Sequence, residues 1–175
     1  FKAELVKVNG EKYSATNEEQ ALRVYNALEK SSYVINKIET KESLTRPSPP
    51  FITSTIQQAA SNRLGFSAKR TMRVAQQLYE GMEIGSSGSV GLITYMRTDS
   101  TFMSKEALDM ARQYIGTEFG PSYLPEKPKM YASGKNAQEA HEAIRPTEAS
   151  LSPEQVKPYL NEEQFKLYDL IWRRF

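Results

Sequence analysis

The sequence turns on Thr45-Arg46-Pro47-Ser48-Pro49-Pro50, where three prolines fall within four residues. Each proline fixes φ, removes a backbone donor and pushes the residue before it towards extended conformations. A helix interior or a central strand does not pass through such a segment. The chain is expected to divide here, at a domain boundary or hinge. Upstream, Phe1, Ala3, Leu5, Val6 and Val8 give a strand-like pattern, and Asn9-Gly10 marks a hairpin turn. Thr16-x-x-Glu19 reads as a capping box for a helix over about 17–30, with Ala21, Val24, Tyr25 and Leu28 on one stripe. Tyr33 to Thr40 alternates and holds β-branched residues, which predicts a further strand. This opening unit carries no chemistry.

Downstream the pattern becomes helical. Ser54-x-x-Gln57 reads as a second capping box, and the helix it starts stops at Gly65, a C′ glycine. Ser67 caps a helix running to about Glu80, so Leu64-Gly65-Phe66-Ser67 joins a pair that resembles a helix-turn-helix. Its Met72, Ala75, Leu78 and Tyr79 supply the apolar side. Residues 81–91 hold four glycines and three serines and predict a flexible loop without either glycine-rich phosphate-binding pattern. Ser104 caps a helix over about 105–119, and the prolines of 121–134 mark a surface loop. Ser152-Pro153 opens a short helix with proline at N1. The last helix, from Asn161-Glu162-Glu163, carries Phe165, Tyr168, Leu170, Ile171 and Trp172 and is expected to pack against the opening β unit. The class is α+β, mainly α.

Composition limits the functions available. An apolar content of 39% and a charged content of 25% fit a soluble globular protein. No apolar run is long enough to span a membrane. The absence of cysteine excludes disulfides and Cys-based zinc sites within these residues and is compatible with a cytosolic origin. Phe1 is not an initiator Met and no signal-peptide pattern follows it, so the chain is expected to come from something longer. Between Ser43 and Tyr79 there are five basic residues, Arg46, Arg63, Lys69, Arg70 and Arg73, and no acid. Such a block is a nucleic-acid footprint or a solvated helix face.

Two polar constellations bear chemistry. In Leu92 to Thr101 a short apolar run delivers Tyr95 into Met-Arg-Thr-Asp-Ser-Thr. In an extended segment Tyr95, Arg97 and Asp99 share one side. A phenol titrates near 10, and a neighbouring guanidinium favours the phenolate and holds a phosphate. A tyrosine at a strand end also serves simply as core or rim. The second constellation, Ala137 to Thr147, predicts a short helix over 138–144 that ends before Pro146. On it His141, the only histidine, shares a face with Gln138 and Arg145. A metal site of the H-E-x-x-H kind needs a second histidine.

Three segments together resemble the bacterial topoisomerase I branch of the type IA DNA topoisomerases. They are Pro50 to Glu80, with Pro-Phe-Ile-Thr-Ser-Thr and Gln-Gln-Ala-Ala-Ser-Asn-Arg-Leu-Gly-Phe; Ile93 to Thr101; and Gln138 to Thr147, with His-Glu-Ala-Ile-Arg-Pro-Thr. The resemblance covers essentially the whole chain, and Met96 between Tyr95 and Arg97 favours this branch. It implies that Tyr95 is a nucleophile towards single-stranded DNA, leaving a 5′-phosphotyrosine and a free 3′-hydroxyl. Strand passage and religation follow, and negatively supercoiled DNA is relaxed without ATP. Arg97 is implied to position the scissile phosphate, and His141 to assist by hydrogen bonding or proton transfer. Asp99, Thr94, Glu142 and Arg145 are implied supporting residues, and Arg63, Lys69, Arg70 and Arg73 the DNA-binding ones.

The resemblance also implies Mg²⁺ in the full-length enzyme, held by a Toprim domain outside these residues. No Asp-x-Asp cluster occurs in the sequence. The chain alone is therefore expected not to relax DNA, and to hold no metal itself. The implied partners are DNA and the Toprim and remaining domains of the same polypeptide, with no membrane; the implied location is the cytoplasm, at the nucleoid. The implied layout inserts a helical domain of residues 45–148, with its helix-turn-helix-like core, into a β-rich arch to which 1–44 and 149–175 contribute. On the residues without the resemblance, a non-catalytic helix-turn-helix DNA-binding module ranks first, and a purely structural helical domain is the other reading.

Overall fold

The computed structural model describes residues 2–131 and 141–175. The chain separates into two units, residues 1–45 and 46–175, so the division falls at the start of the proline-rich segment.

In the first unit, β1 (Lys7–Val8) and β2 (Glu11–Lys12) pair antiparallel across Asn9-Gly10, both with positive φ, as the hairpin signal predicts. Helix α1 (Glu18–Glu29) starts one residue later than the expected box. Asn17 is the N-cap and accepts from the Gln20 amide, while Gln20 Oε1 accepts from Thr16. None of its residues is buried. The strand expected over Tyr33 to Thr40 does not form. A strand exists only where a neighbour takes its amides and carbonyls, and Tyr33, Val34, Ile35 and Ile38 stand exposed.

The second unit holds the core. Helices α2 (Thr53–Leu64) and α3 (Ala68–Glu80) are joined at Gly65, whose φ of 68° closes α2 in the left-handed conformation. Ser67 caps α3 by accepting from the Arg70 amide. The capping box expected from Ser54 and Gln57 is replaced. The Thr55 hydroxyl accepts the Ile52 amide, and α2 begins with its first amide, Thr53, bonded to the Thr98 carbonyl. Residues 81–91, expected as a flexible loop, fold into a hairpin of β3 (Met82–Glu83) and β4 (Ser89–Val90) around a short 3₁₀ turn. The Ile84 amide bonds to the Gly88 carbonyl across it.

Helix α4 (Lys105–Glu118) is capped by Ser104. Helix α5 (Pro153–Val156) carries the expected proline at N1, and α6 (Glu162–Arg174) is capped by Asn161. The apolar face of α6, expected to meet the opening β unit, is used on α2, α3 and α5. Leu167, Tyr168 and Ile171 from α6 join Ile56 from α2 and Val74 and Leu78 from α3 in one fully buried cluster. Gln164 reaches Gln77 of α3, and the buried Tyr168 hydroxyl donates to the Leu151 carbonyl at 2.6 Å. The described residues are thus mainly helical with two small antiparallel sheets. No helix among the described residues is long and apolar enough to cross a membrane.

Candidate functional site

The Tyr95 segment is pinned on both sides. Its entry is tied to the end of α3: the Leu92 amide donates to the Leu78 carbonyl at 2.8 Å. Gly91 lies so close to the Tyr79 carbonyl that a Cβ there would stand 2.7 Å from it, which is why only glycine fits. Its exit is tied to the start of α2. The Thr53 hydroxyl donates to the Met96 carbonyl at 2.8 Å and accepts the Thr98 amide at 2.9 Å.

Between these anchors burial alternates. Met96, Thr98 and Ser100 are buried, and Tyr95, Arg97 and Asp99 are exposed. The period of two expected of an extended stretch is present. A bend at Met96 and Arg97 nevertheless turns the exposed side chains towards two adjoining grooves. Tyr95 lines one with Tyr79, Thr94, Thr98, His141 and Glu142. Arg97 and Asp99 line the other with Thr53, Ser54, Gln57 and His141. His141 and Thr98 border both.

The helix expected over 138–144 is not what brings His141 there. Gln138 lies outside the described residues, and from His141 onward the chain is extended rather than helical. The residue before a proline disfavours the helical region, and the backbone donors find better-placed acceptors. The amides of Ala143, Ile144 and Arg145 bond to the Phe102 carbonyl, the Phe51 carbonyl and the Thr94 hydroxyl. Ile144 bridges antiparallel to Phe51, and Pro146 to Ile93. The Thr94 amide donates to the Arg145 carbonyl, and the Thr147 amide to that of Leu92. The two polar constellations therefore lie side by side as antiparallel threads. His141 and Arg145 do not share a helical face.

The ring of Tyr95 lies 6.5 Å from that of His141 and 5.4 Å from that of Tyr79, both edge to face. Tyr95 is 43% exposed. Arg97 is exposed and forms no ion pair among the described residues. An exposed guanidinium without a carboxylate partner keeps its charge available to an anion.

Glu142 and Arg145 form a clamp beneath the groove. Arg145 donates to Glu142 at 2.6 Å and to the Pro146 carbonyl at 2.9 Å, with only 12% of its side chain exposed. The other Glu142 oxygen accepts the Ser104 amide at 2.7 Å, which also orients the start of α4. Burial pushes the Glu142 carboxyl up, but the hydrogen bonds from Ser104 and the Arg145 charge outweigh it and hold the carboxyl below its ordinary value. The Arg145 Nε is buried without a partner among the described residues.

The basic block divides. Arg63 and Lys69 are exposed. Arg70 and Arg73 are exposed too but converge on Glu163 of α6, at 2.5 and 2.8 Å. Arg70 also stacks on the Phe66 ring at 4.3 Å. Among the described residues no group of three metal-ligating side chains is placed to hold an ion. Of the carboxylates beside the grooves, Glu142 has both oxygens engaged, by the Ser104 amide and Arg145, and Asp99 stands exposed in the groove of Arg97.

Sequence reasoning missed Thr53 and Thr98, which hold the Tyr95 segment in place, read Ser104 only as a helix cap and not as the partner of Glu142, and placed Tyr79 only on the apolar side of its helix. A threonine at a helix start, facing a long-range partner, leaves no local pattern to read. Tyr79 directly follows the fully buried Leu78 yet is 41% exposed, a mismatch visible only in the fold.

A family model described as DNA topoisomerase matches residues 2–175. DNA topoisomerase 1 of Campylobacter jejuni is 50% identical over 99% of this chain and 25% of its own length. DNA topoisomerase 1 of Xylella fastidiosa is 47% identical over 99% of this chain and 22% of its own length. The solved structure of full-length topoisomerase I from Thermotoga maritima superposes with a TM-score of 0.74 at 39% identity, covering 97% of this chain and 26% of that one. The chain thus spans about a quarter of the length of the relatives it matches.

Proposed function

Because the chain belongs to the type IA DNA topoisomerase family, we propose that it is the tyrosine-bearing part of an enzyme that cleaves one DNA strand, lets another pass and reseals the break. In this reaction the Tyr95 phenol oxygen attacks a backbone phosphorus, a bond forms between them, and the bond from phosphorus to the 3′-oxygen breaks. The phenol loses its proton and the leaving oxygen gains one, so a 5′-phosphotyrosine and a free 3′-hydroxyl remain. Religation runs the same steps backwards, without ATP. Arg97 holds the phosphate and stabilises charge developing on it. His141, bordering both grooves, exchanges hydrogen bonds or a proton near the reacting oxygen. Thr94, Asp99, Glu142 and Arg145 support the geometry.

The convergence of Tyr95, His141 and Arg97 on two adjoining grooves, from segments distant in sequence, carries this conclusion. Lys69 and Arg63 supply cationic surface for single-stranded DNA, with Arg70 and Arg73 partly neutralised by Glu163. Mg²⁺ belongs to the full-length enzyme, with ligands in a Toprim domain outside these residues, so these residues alone do not relax DNA. A helical domain beginning near residue 45 is inserted in a β-rich arch to which residues 1–44 contribute, while α6 of the expected arch segment 149–175 packs on α2 and α3; the exposed apolar side chains of Tyr33 to Ile38 suit burial against the rest of that arch. Such an enzyme works in the cytoplasm, at the nucleoid.

The test uses the full-length polypeptide with single-stranded DNA and Mg²⁺, scored for a denaturant-resistant protein–DNA adduct. Tyr95→Phe is expected to abolish the adduct while leaving DNA binding largely intact. An adduct that persists in Y95F would overturn the assignment, and binding without any adduct in the unmodified protein would favour a non-catalytic DNA-binding module.

A further inference from the structure

We infer that Tyr79 is a positioning residue for Tyr95, holding its ring edge-on at the mouth of the groove it shares with His141. This rests on Tyr95 being the nucleophile. A phenol that must meet phosphorus in line has to be held in one orientation, since small misplacement of a reacting group costs much of the rate. Backbone anchoring of the Tyr95 segment fixes its Cα but not its ring. The ring is 43% exposed, and a half-exposed tyrosine has rotamer freedom unless neighbours restrict it.

Two aromatic neighbours border it. His141, at 6.5 Å, faces the place where phosphate is handled and must itself be free to exchange hydrogen bonds. Tyr79 is closer, with ring centroids 5.4 Å apart and planes at 66°, an arrangement in which the electropositive edge of one ring meets the electronegative face of the other. Both tyrosines and His141 line the same groove.

Tyr79 is suited to act as a buttress because its own backbone is fixed. It sits in the last turn of α3, beside the fully buried Leu78. The Leu78 carbonyl accepts the Leu92 amide, and the Tyr79 carbonyl is covered by Gly91. The helix end that carries Tyr79 and the thread that carries Tyr95 are therefore one joint. The ring-to-ring contact extends that joint out to the reacting side chain.

The experiment compares Tyr79→Leu and Tyr79→Phe in the full-length polypeptide. Single-turnover adduct formation on single-stranded DNA is measured at saturating protein, alongside the Kd for the same oligonucleotide. Y79L is expected to slow adduct formation by about ten- to a hundredfold with Kd unchanged. Y79F, which keeps the ring and loses only the hydroxyl, is expected to restore the rate. Adduct formation at the unmodified rate in Y79L would overturn the inference. So would a loss confined to Kd, which would make Tyr79 a DNA contact, or an equal loss in Y79F, which would assign the effect to the hydroxyl. Should Y79L unfold, Tyr79→Met repeats the comparison with a flexible side chain in place of the ring. Y95F run in parallel separates the two levels: an adduct in Y95F removes the nucleophile assignment itself, whereas loss in Y95F with full activity in Y79L removes only the role of Tyr79.

Discussion

The Thr53 hydroxyl accepts the Thr98 amide at 2.9 Å and donates to the Met96 carbonyl at 2.8 Å, so one side chain at the start of α2 holds the centre of the Tyr95 segment. Thr53→Val keeps the shape and removes the hydroxyl, leaving the buried Thr98 amide without its acceptor. We expect a stability loss of about 1–3 kcal/mol by chemical denaturation of the 175-residue chain. We also expect slower adduct formation in the full-length protein. Unchanged stability in T53V would show that the segment is held by its backbone bonds alone.

The Glu142–Arg145 clamp makes part of the stability depend on pH. The Glu142 carboxyl is held below its ordinary value in the folded chain. Its contribution is therefore complete above the unfolded value, about 4.3, and is lost as pH falls through the lower folded one. Glu142→Gln is expected to be less stable than the unmodified chain at neutral pH. The gap should narrow as pH is lowered below about 4. Thermal unfolding across that range checks it, and a gap independent of pH would contradict the clamp.

Much of this was legible before the fold was known. The break at Pro47 to Pro50, the Asn9-Gly10 hairpin and the helices capped by Ser67 and Ser104 depend on neighbours in sequence, and local chemistry predicts them. The alternation placing Tyr95, Arg97 and Asp99 outward is local too, and it is present. The helix expected through His141 failed because acceptors from Phe51, Thr94 and Phe102 took the backbone donors. The box expected at Ser54 gave way to a local cap, the Thr55 hydroxyl on the Ile52 amide, together with a long-range one, the Thr98 carbonyl on the Thr53 amide. The strand expected at Tyr33 to Thr40 failed the other way, because no neighbour among the described residues pairs with it. His141 stands 6.5 Å ring to ring from Tyr95, and does so in an extended thread, not on the helix expected to carry it with Arg145.

Gly91 is the tightest point between α3 and the Tyr95 segment. In Gly91→Ala the new Cβ would stand 2.7 Å from the Tyr79 carbonyl, which is backbone and cannot swing aside. The two elements must separate by several tenths of an ångström. We expect a loss of about 1–3 kcal/mol, typical of overpacking, and a larger loss in adduct formation than in DNA binding. Wild-type behaviour in G91A would show that the joint yields without consequence.

Glu163 should act as an electrostatic brake on DNA binding. It pairs with both Arg70 and Arg73, and the pairing holds its carboxyl below the ordinary value. Glu163→Gln frees two cations, so affinity for single-stranded DNA should rise and its dependence on salt should steepen. Lys69→Gln should flatten the salt slope by about 1. Binding isotherms at several salt concentrations distinguish these outcomes. Slopes unchanged in both variants would remove α3 from the DNA surface.

The most direct measurement is to identify the tyrosine that carries DNA. The full-length protein is trapped with single-stranded DNA, digested with nuclease and protease, and the peptide bearing residual nucleotide is sequenced by mass spectrometry. This chain has ten tyrosines, and Tyr79 lies one ring away from Tyr95, so the assignment is specific. We predict the modification on Tyr95, in the peptide containing Leu92 to Arg97. Nucleotide found on Tyr79 or any other tyrosine would contradict the account.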